Sequence, residues 1–110
     1  MSLRGTDLYA GLWILGDDGG MSEGGAALVT GAARRLGRAM ALDLAARGFD
    51  VVIHYHTGRA EAEGVAEQAR AHGVRAAAVA ADLLDREATA ALIPAAAAAL
   101  DRPLTVLVNN

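Results

Sequence analysis

The sequence contains neither cysteine nor lysine, and each absence excludes a kind of chemistry. Without cysteine the chain has no disulfide, no Cys-ligated metal centre and no thiol nucleophile. All ten basic residues are arginine. These 110 residues therefore provide no Schiff-base lysine, no Walker-type phosphate lysine and no Tyr-Lys or Ser-Lys catalytic pair.

Strong charge and long hydrophobic runs are also missing. The net charge is −3, so the chain has no basic surface of the kind that binds nucleic acid. No apolar run reaches the roughly 18–20 residues that span a bilayer, and the N-terminus does not resemble a signal peptide. The hydrophobic fraction of 54% nevertheless predicts a packed core. We expect a globular cytoplasmic protein that binds neither nucleic acid nor membrane.

The first 25 residues differ in composition from the rest. They hold seven of the 13 glycines and the only tryptophan. Because glycine-rich segments lose much backbone entropy on ordering, we interpret residues 1–25 as a flexible extension or vector-derived leader outside the core. The alternative is an interface arm that uses Leu12, Trp13 and Ile14.

Strand and helix patterns alternate from residue 26 onward. Apolar runs predict strands, and stripes at helical spacing predict helices. Asp85 is a good N-cap for the third helix, and Pro94 should kink or split that helix. Alternating strands and helices predict an α/β fold with a doubly wound parallel sheet of the Rossmann type. The predicted strands are 26–30, 50–55, 75–80 and 104–108, and the predicted helices are 35–47, 59–72 and 85–100.

A glycine-containing turn, Thr-Gly-Ala-Ala-Arg-Arg-Leu-Gly at 30–37, lies between the first strand and the first helix. Glycine in such a place lets the backbone approach a phosphate, and the N–H groups of the helix N-terminus bind it. The alternative is an ordinary turn between a strand and a helix. The residues predicted to bind a dinucleotide here are Gly31, Arg34, Arg35, Leu36 and Gly37.

The end of the second strand is where a dinucleotide's ribose is usually recognised. An acidic residue there binds the 2′-hydroxyl of NAD, whereas basic groups accommodate the 2′-phosphate of NADP. No acid occurs until Glu61, so the sequence favours NADP. His54 is more often a packing residue on such a strand, and the alternative for Arg59 is a solvated surface residue. The groups predicted near the 2′-phosphate are His56, Thr57, Arg59 and the two turn arginines.

Two further pairs follow the third and fourth strands. Asp82 can accept a hydrogen bond from the adenine amino group, and the Leu83 backbone can contact the same ring. The alternative for Asp82 is a capping or loop role. Asn109 and Asn110 end the fourth strand, where a buried amide pair must find partners. We expect them to join neighbouring strands and to border the nicotinamide ribose.

Together these motifs resemble the classical short-chain dehydrogenase/reductase family. The family turn Thr-Gly-x-x-x-Gly-x-Gly matches 30–37, although Arg35 replaces the middle glycine. The family's Asp-Leu matches 82–83, and its Asn-Asn-Ala-Gly begins at 109–110. The turn, the His-Tyr-His at 54–56 and the Ala-Glu-Ala at 60–62 look most like the pteridine reductase branch, in which a basic-polar pair rather than Thr57-Gly58 follows the His-Tyr-His.

The resemblance implies an NADPH-dependent reductase of a carbonyl or a pterin-like C=N bond, and a homotetramer. The family uses a tyrosine as general acid and a lysine four residues later. This sequence has only Tyr9 and Tyr55, followed at that spacing by Trp13 and Arg59. We therefore expect residues 26–110 to be the N-terminal portion of an NADP-binding domain with its catalytic residues beyond Asn110. The alternatives are a non-catalytic NADP(H)-binding module and, less favoured without an acid after the second strand, a methyltransferase.

Overall fold

The computed structural model describes residues 3–6, 12–15 and 25–110, and the strands in these ranges form one sheet. The strands are β1 (Leu3–Thr6), β2 (Leu12–Leu15), β3 (Ala26–Val29), β4 (Asp50–Tyr55), β5 (Ala76–Ala80) and β6 (Val106–Val108). They lie in the order β1-β2-β6-β3-β4-β5. The four strands from β6 to β5 are mutually parallel, as the alternating pattern predicts.

Three helices connect these parallel strands. They are α1 (Arg35–Ala46), α2 (Arg59–Arg70) and α3 (Arg86–Leu100). Met40 and Leu44 lie on one stripe of α1 and are buried, which explains why this segment is helical. Asp85 caps α3, since its side chain accepts the backbone N–H groups of Glu87 and Ala88. Each predicted strand and helix of the parallel unit is present, with ends that differ by at most two residues.

Helices cover both faces of the parallel sheet. On one face, α1 and α2 bury Ala27, Val29 and Ile53 together with Met40 and other apolar side chains. On the other face, α3 packs Leu92, Ala96 and Leu100 against Leu28 and Val52. Neighbouring residues of a strand thus pack into the cores on opposite faces of the sheet. Because both faces are covered, these strands are continuous apolar runs in the sequence. The fold is a doubly wound, Rossmann-like α/β sheet.

Pro94 does not split α3, so of the two outcomes that the sequence predicts, a kink or a split, the split is wrong. The helix is continuous from Arg86 to Leu100, although proline lacks the N–H that would bond to the preceding turn. Burial of Leu92, Ala96 and Leu100 on either side of Pro94 holds both halves against the sheet. At 15 residues α3 is the longest helix of the described ranges, and no helix there is long and apolar enough to cross a membrane.

Part of the N-terminal segment joins the sheet, which differs from the expected extension outside the core. Strands β1 and β2 pair in an antiparallel manner, and β2 pairs antiparallel with β6. A strand edge presents unpaired N–H and C=O groups, and β2 satisfies those of β6. The run Leu-Trp-Ile-Leu at Leu12–Leu15 has high strand propensity despite its glycine-rich surroundings. The remaining predictions for residues 1–25 lie outside the described residues.

Candidate functional site

Gly31 begins the turn between β3 and α1 with a backbone φ of +59°, a conformation that favours glycine. Its N–H donates to Nδ1 of His54 at 3.0 Å, and the next N–H, of Ala32, donates to the His54 carbonyl at 2.9 Å. The turn is therefore attached to β4 at two consecutive residues. The glycine-containing turn that the sequence predicts between the first strand and the first helix is thus present.

Gly37 allows α1 to lie directly against this turn. A Cβ at position 37 would be only 2.2 Å from the carbonyl oxygen of Gly31 and 2.7 Å from Nδ2 of Asn110. No side chain fits such a space, so the close approach requires glycine. The second glycine of the turn thus has a packing role.

His54 has a role that sequence reasoning missed. Its side chain is only 3% exposed, and both ring nitrogens are engaged. Nδ1 accepts from Gly31, so Nε2 carries the proton and donates to the carbonyl of Ala81 at 2.8 Å. His54 thus joins the glycine turn to the chain that leaves β5. The position of a histidine near the end of the second strand, beside the turn, was the available signal.

Thr30 and the two asparagines join β3 to β6. The Thr30 hydroxyl donates to Oδ1 of Asn109 at 3.2 Å and accepts the Asn110 N–H at 2.9 Å. Nδ2 of Asn110 donates to the Gly31 carbonyl at 3.2 Å. The asparagines connect neighbouring strands as expected, but the expectation that they are buried is wrong, since both are exposed. Thr30, 4% exposed, is the buried centre of this network.

An open cavity of about 530 Å³ lies between the glycine turn, the end of β4 and the end of β6. Among the residues that the structure describes, two arginines and no acidic residue line it. Seven of its nine lining residues are among those that the sequence predicts for cofactor binding, and the other two are Ala33 and Tyr55. The lining residues are Gly31, Ala33, Arg34, Arg35, Leu36, Tyr55, His56, Thr57 and Asn110.

Arg34 is paired with an acid that sequence reasoning treated as too distant to matter. Its Nε and Nη2 donate to the two carboxylate oxygens of Glu61, with 3.0 Å between Nη2 and Oε1. This bidentate hydrogen bonding, with the attraction between the charges, raises the pKa of Arg34 and lowers that of Glu61. The first turn of α2 brings Glu61 to the glycine turn, a placement that no local sequence pattern indicates.

Arg35 adopts a φ of +53°, which is unusual for any residue other than glycine. In the family turn that residues 30–37 resemble, a glycine stands at this position. Within residues 25–110, no hydrogen bond or ion pair engages its guanidinium group, although the residue lines the cavity. The chain thus keeps the backbone shape of a glycine turn and adds a cation to it.

The structure places five predicted residues outside this cavity. Arg59 is the first residue of α2 and does not line it. Asp82 accepts the Leu84 N–H at 3.0 Å, the loop role weighed above, and its other oxygen lies 3.9 Å from Nε2 of His56. Leu83 and Asn109 line a second cavity of about 350 Å³ on the α3 face. Gly37, as described, supports the turn from beneath.

The chain belongs to the short-chain dehydrogenase family. The family's sequence model matches residues 25–110, which include every parallel strand and all three helices. The geometry agrees with that membership, since the family turn and the residues after each strand meet at one edge of the sheet. The family resemblance of the sequence is therefore confirmed.

Two relatives illustrate the similarity. Versicolorin reductase 1 of Aspergillus parasiticus is 49% identical over 71 residues, which are 64% of this chain and 27% of the relative. The 3-oxoacyl-(acyl-carrier-protein) reductase FabG of Staphylococcus aureus is 40% identical over 84 residues, 76% of this chain and 34% of the relative. The chain therefore spans about a third of the length of the relatives it matches.

Solved structures show the same fold. A dehydrogenase/reductase from Sinorhizobium meliloti has a TM-score of 0.73 and 34% identity, covering 83% of this chain and 36% of its own. The FolM alternative dihydrofolate reductase 1 of Brucella canis, solved with NADP, has a TM-score of 0.69 and 36% identity. That match covers 76% of this chain and 33% of the FolM chain.

Proposed function

We propose that the full-length protein is an NADPH-dependent short-chain reductase, and that residues 26–110 are the N-terminal portion of its NADP-binding domain. The observation that carries this proposal is the pair of arginines at the cavity beside the glycine turn. Arg34, which is paired with Glu61, and Arg35, which has no partner among the described residues, both line that cavity. A dinucleotide carries several negative charges, and guanidinium groups bind phosphates through several N–H donors at once.

The residues of the cavity fit such a cofactor. Gly31 and Gly37 keep side chains away from the place where a pyrophosphate would approach the N-terminus of α1. Arg35 supplies a cation without a partner among the described residues, and Asn110 supplies an amide at the end of β6. NADPH, when bound, would supply the hydride, while these residues bind and orient it.

The proposed preference for NADP over NAD rests on the groups beside the end of β4. His56 and Thr57 line the cavity next to Arg34, and all three can donate hydrogen bonds to a 2′-phosphate. The NADP bound to the similar FolM structure supports this assignment. Arg59 is proposed for the region of the 2′-phosphate, Asp82 and Leu83 for the adenine, and Asn109 for the nicotinamide ribose.

The proposed reaction is hydride transfer to a carbonyl group or to a pterin-like C=N bond. The names of the relatives support reduction, since one is a 3-oxoacyl reductase and a similar structure is a dihydrofolate reductase. The 110 residues contain no tyrosine followed four residues later by lysine. We therefore propose that the proton donor of the reaction lies outside them, in a cytoplasmic homotetramer as the family resemblance implies.

A fluorescence titration of the full-length protein tests the cofactor assignment. We expect NADPH to bind more tightly than NADH, and Arg35→Gln to weaken NADPH binding about tenfold, the value of one charge-assisted hydrogen bond. Arg38→Gln is the matched control, because Arg38 lies on α1, bonds to Gln68 and does not line the cavity. Failure of the wild-type protein to bind NADPH would refute the proposal.

A further inference from the structure

Arg34 binds the carboxylate of Glu61 and also lines the cavity in which the proposed cofactor would place its phosphates. Nε and Nη2 of Arg34 both donate to the carboxylate of Glu61, and the Arg34 side chain lines the cavity at the glycine turn. The pair is exposed, with about half of each side chain accessible, at 55% for Arg34 and 50% for Glu61. An anion that arrives from solvent can therefore reach Arg34 without unfolding any part of the site.

Gly58 provides the space in which this ion pair forms. A Cβ at position 58 would be 2.7 Å from Nη2 of Arg34 and 3.1 Å from Oε1 of Glu61. Gly58 also has a φ of +88° and begins α2 with no side-chain cap. The pair thus lies directly over the N-terminus of α2, beside Thr57 at the edge of the cavity.

We propose that Glu61 is a specificity-determining residue, whose carboxylate competes with the 2′-phosphate of NADP for Arg34. The inference rests on the proposed function. The pair offsets the charge of Arg34 and occupies its Nε–Nη2 edge, so a 2′-phosphate must displace Glu61 to bind that edge. NAD carries a hydroxyl at the same place and leaves the pair intact. Glu61 therefore lowers the affinity for NADP relative to that for NAD.

Charge and geometry favour competition over cooperation. A phosphate monoester carries about −1.5 to −2 charges at neutral pH, and Glu61 adds a further negative charge beside it. The Nε–Nη2 edge of arginine forms the fork that binds carboxylates and phosphates alike, and Glu61 already occupies this edge. A glutamate is ionised at neutral pH, and the bonding to Arg34 lowers the pKa of Glu61 further, so the two anions compete there.

The test measures binding of two fragments to the full-length protein by isothermal titration calorimetry. Adenosine 2′,5′-bisphosphate carries the 2′-phosphate, and AMP lacks it. We expect Glu61→Gln to tighten bisphosphate binding about two- to fivefold, the range for exposed ion pairs, and to leave AMP unchanged. Glu63→Gln is the matched control, because it removes the same charge from the exposed face of α2 and should change neither affinity.

A second background separates competition from simple repulsion. When Arg34 is replaced by Gln, competition predicts that Glu61→Gln gives a much smaller gain in bisphosphate affinity. An equal or larger gain in that background, or equal effects of Glu61→Gln and Glu63→Gln, would overturn the inference while the proposed function stands. If neither the wild-type protein nor Glu61→Gln binds NADPH or the bisphosphate, the proposed function itself fails, and the inference fails with it.

Discussion

The imidazole of His54 accepts the backbone N–H of Gly31 through Nδ1 at 3.0 Å, and it does so from within the core. Its other nitrogen donates to the carbonyl of Ala81. One buried side chain therefore attaches the glycine turn to β4 and to the loop after β5. Because a cofactor in this fold lies across these segments, we expect His54 to act as a positioning residue for the proposed site.

Replacing His54 with leucine is expected to weaken the whole site. The change leaves the Gly31 N–H and the Ala81 carbonyl without their partner, which should lower the free energy of unfolding by about 2–4 kcal/mol. NADPH affinity should fall as well, because the turn is no longer fixed. Urea unfolding and an NADPH titration of the full-length protein measure the two effects.

His54→Asn is the matched control for this substitution. Its side-chain oxygen can occupy the position of Nδ1 and accept from Gly31, while the contact with Ala81 is lost. We expect His54→Asn to keep more NADPH affinity than His54→Leu at similar stability. Equal NADPH affinities in the two variants would show that His54 only fills space.

The approach of α1 to the glycine turn gives a second prediction. Gly37→Ala places a Cβ 2.2 Å from the Gly31 carbonyl oxygen, so the turn or α1 must shift. We expect a loss of at least about 2 kcal/mol in stability, a typical cost of overpacking, together with a clear loss of NADPH binding. Thermal unfolding and fluorescence titration provide the measurements.

Gly64→Ala is the control, since a Cβ there meets nothing within 4 Å on α2. This change should stabilise the protein by about 0.5–1 kcal/mol through helix propensity and leave NADPH binding unchanged. If Gly37→Ala behaved like Gly64→Ala, the close approach of α1 would not matter for the site.

The sequence predicts the parallel unit well because its signals are local. Each apolar run became a strand, and Asp85 caps α3 as its side-chain chemistry indicates. The split predicted at Pro94 is absent because burial on both sides of it outweighs one missing hydrogen bond. The strands within residues 1–25 were missed because β2 pairs with a distant edge, that of β6, and β1 pairs only with β2.

The sequence predicts those residues of the site that belong to a motif. It does not predict contacts between residues that are distant in the sequence and that the fold brings together. Gly31 and Gly37 follow from the turn itself. The partnership of Arg34 with Glu61 joins residues from α2 and the turn, and the bond from His54 to Gly31 joins two strands' ends. No periodicity or spacing encodes such contacts, so they emerge only once the sheet order is known.

The positive φ of Arg35 leads to a third prediction. At a φ of +53° the conformation of a residue with a Cβ is strained by about 1–2 kcal/mol, whereas that of glycine is not. Arg35→Gly should therefore be more stable than Arg35→Ala, the reverse of the order in an ordinary helix, where alanine exceeds glycine by about 1 kcal/mol. Urea unfolding of both variants checks the sign of this difference.

Both Arg35 variants remove the same guanidinium, so both should lose NADPH affinity to a similar extent. That shared loss separates the role of the side chain from the strain of the backbone. A more stable Arg35→Ala than Arg35→Gly would mean that residue 35 does not keep its left-handed conformation in solution.

The hydroxyl of Thr30 gives the last prediction. It accepts the N–H of Asn110 at 2.9 Å and donates to Oδ1 of Asn109, and valine has the same shape without these bonds. Thr30→Val should cost about 1–3 kcal/mol of stability and release Asn110 from its place at the cavity, weakening NADPH binding. Thr30→Ser keeps the hydroxyl and should retain most of the affinity, although it loses a buried methyl group. If Thr30→Val bound NADPH as tightly as Thr30→Ser, the link from β3 to the asparagines would not position the site.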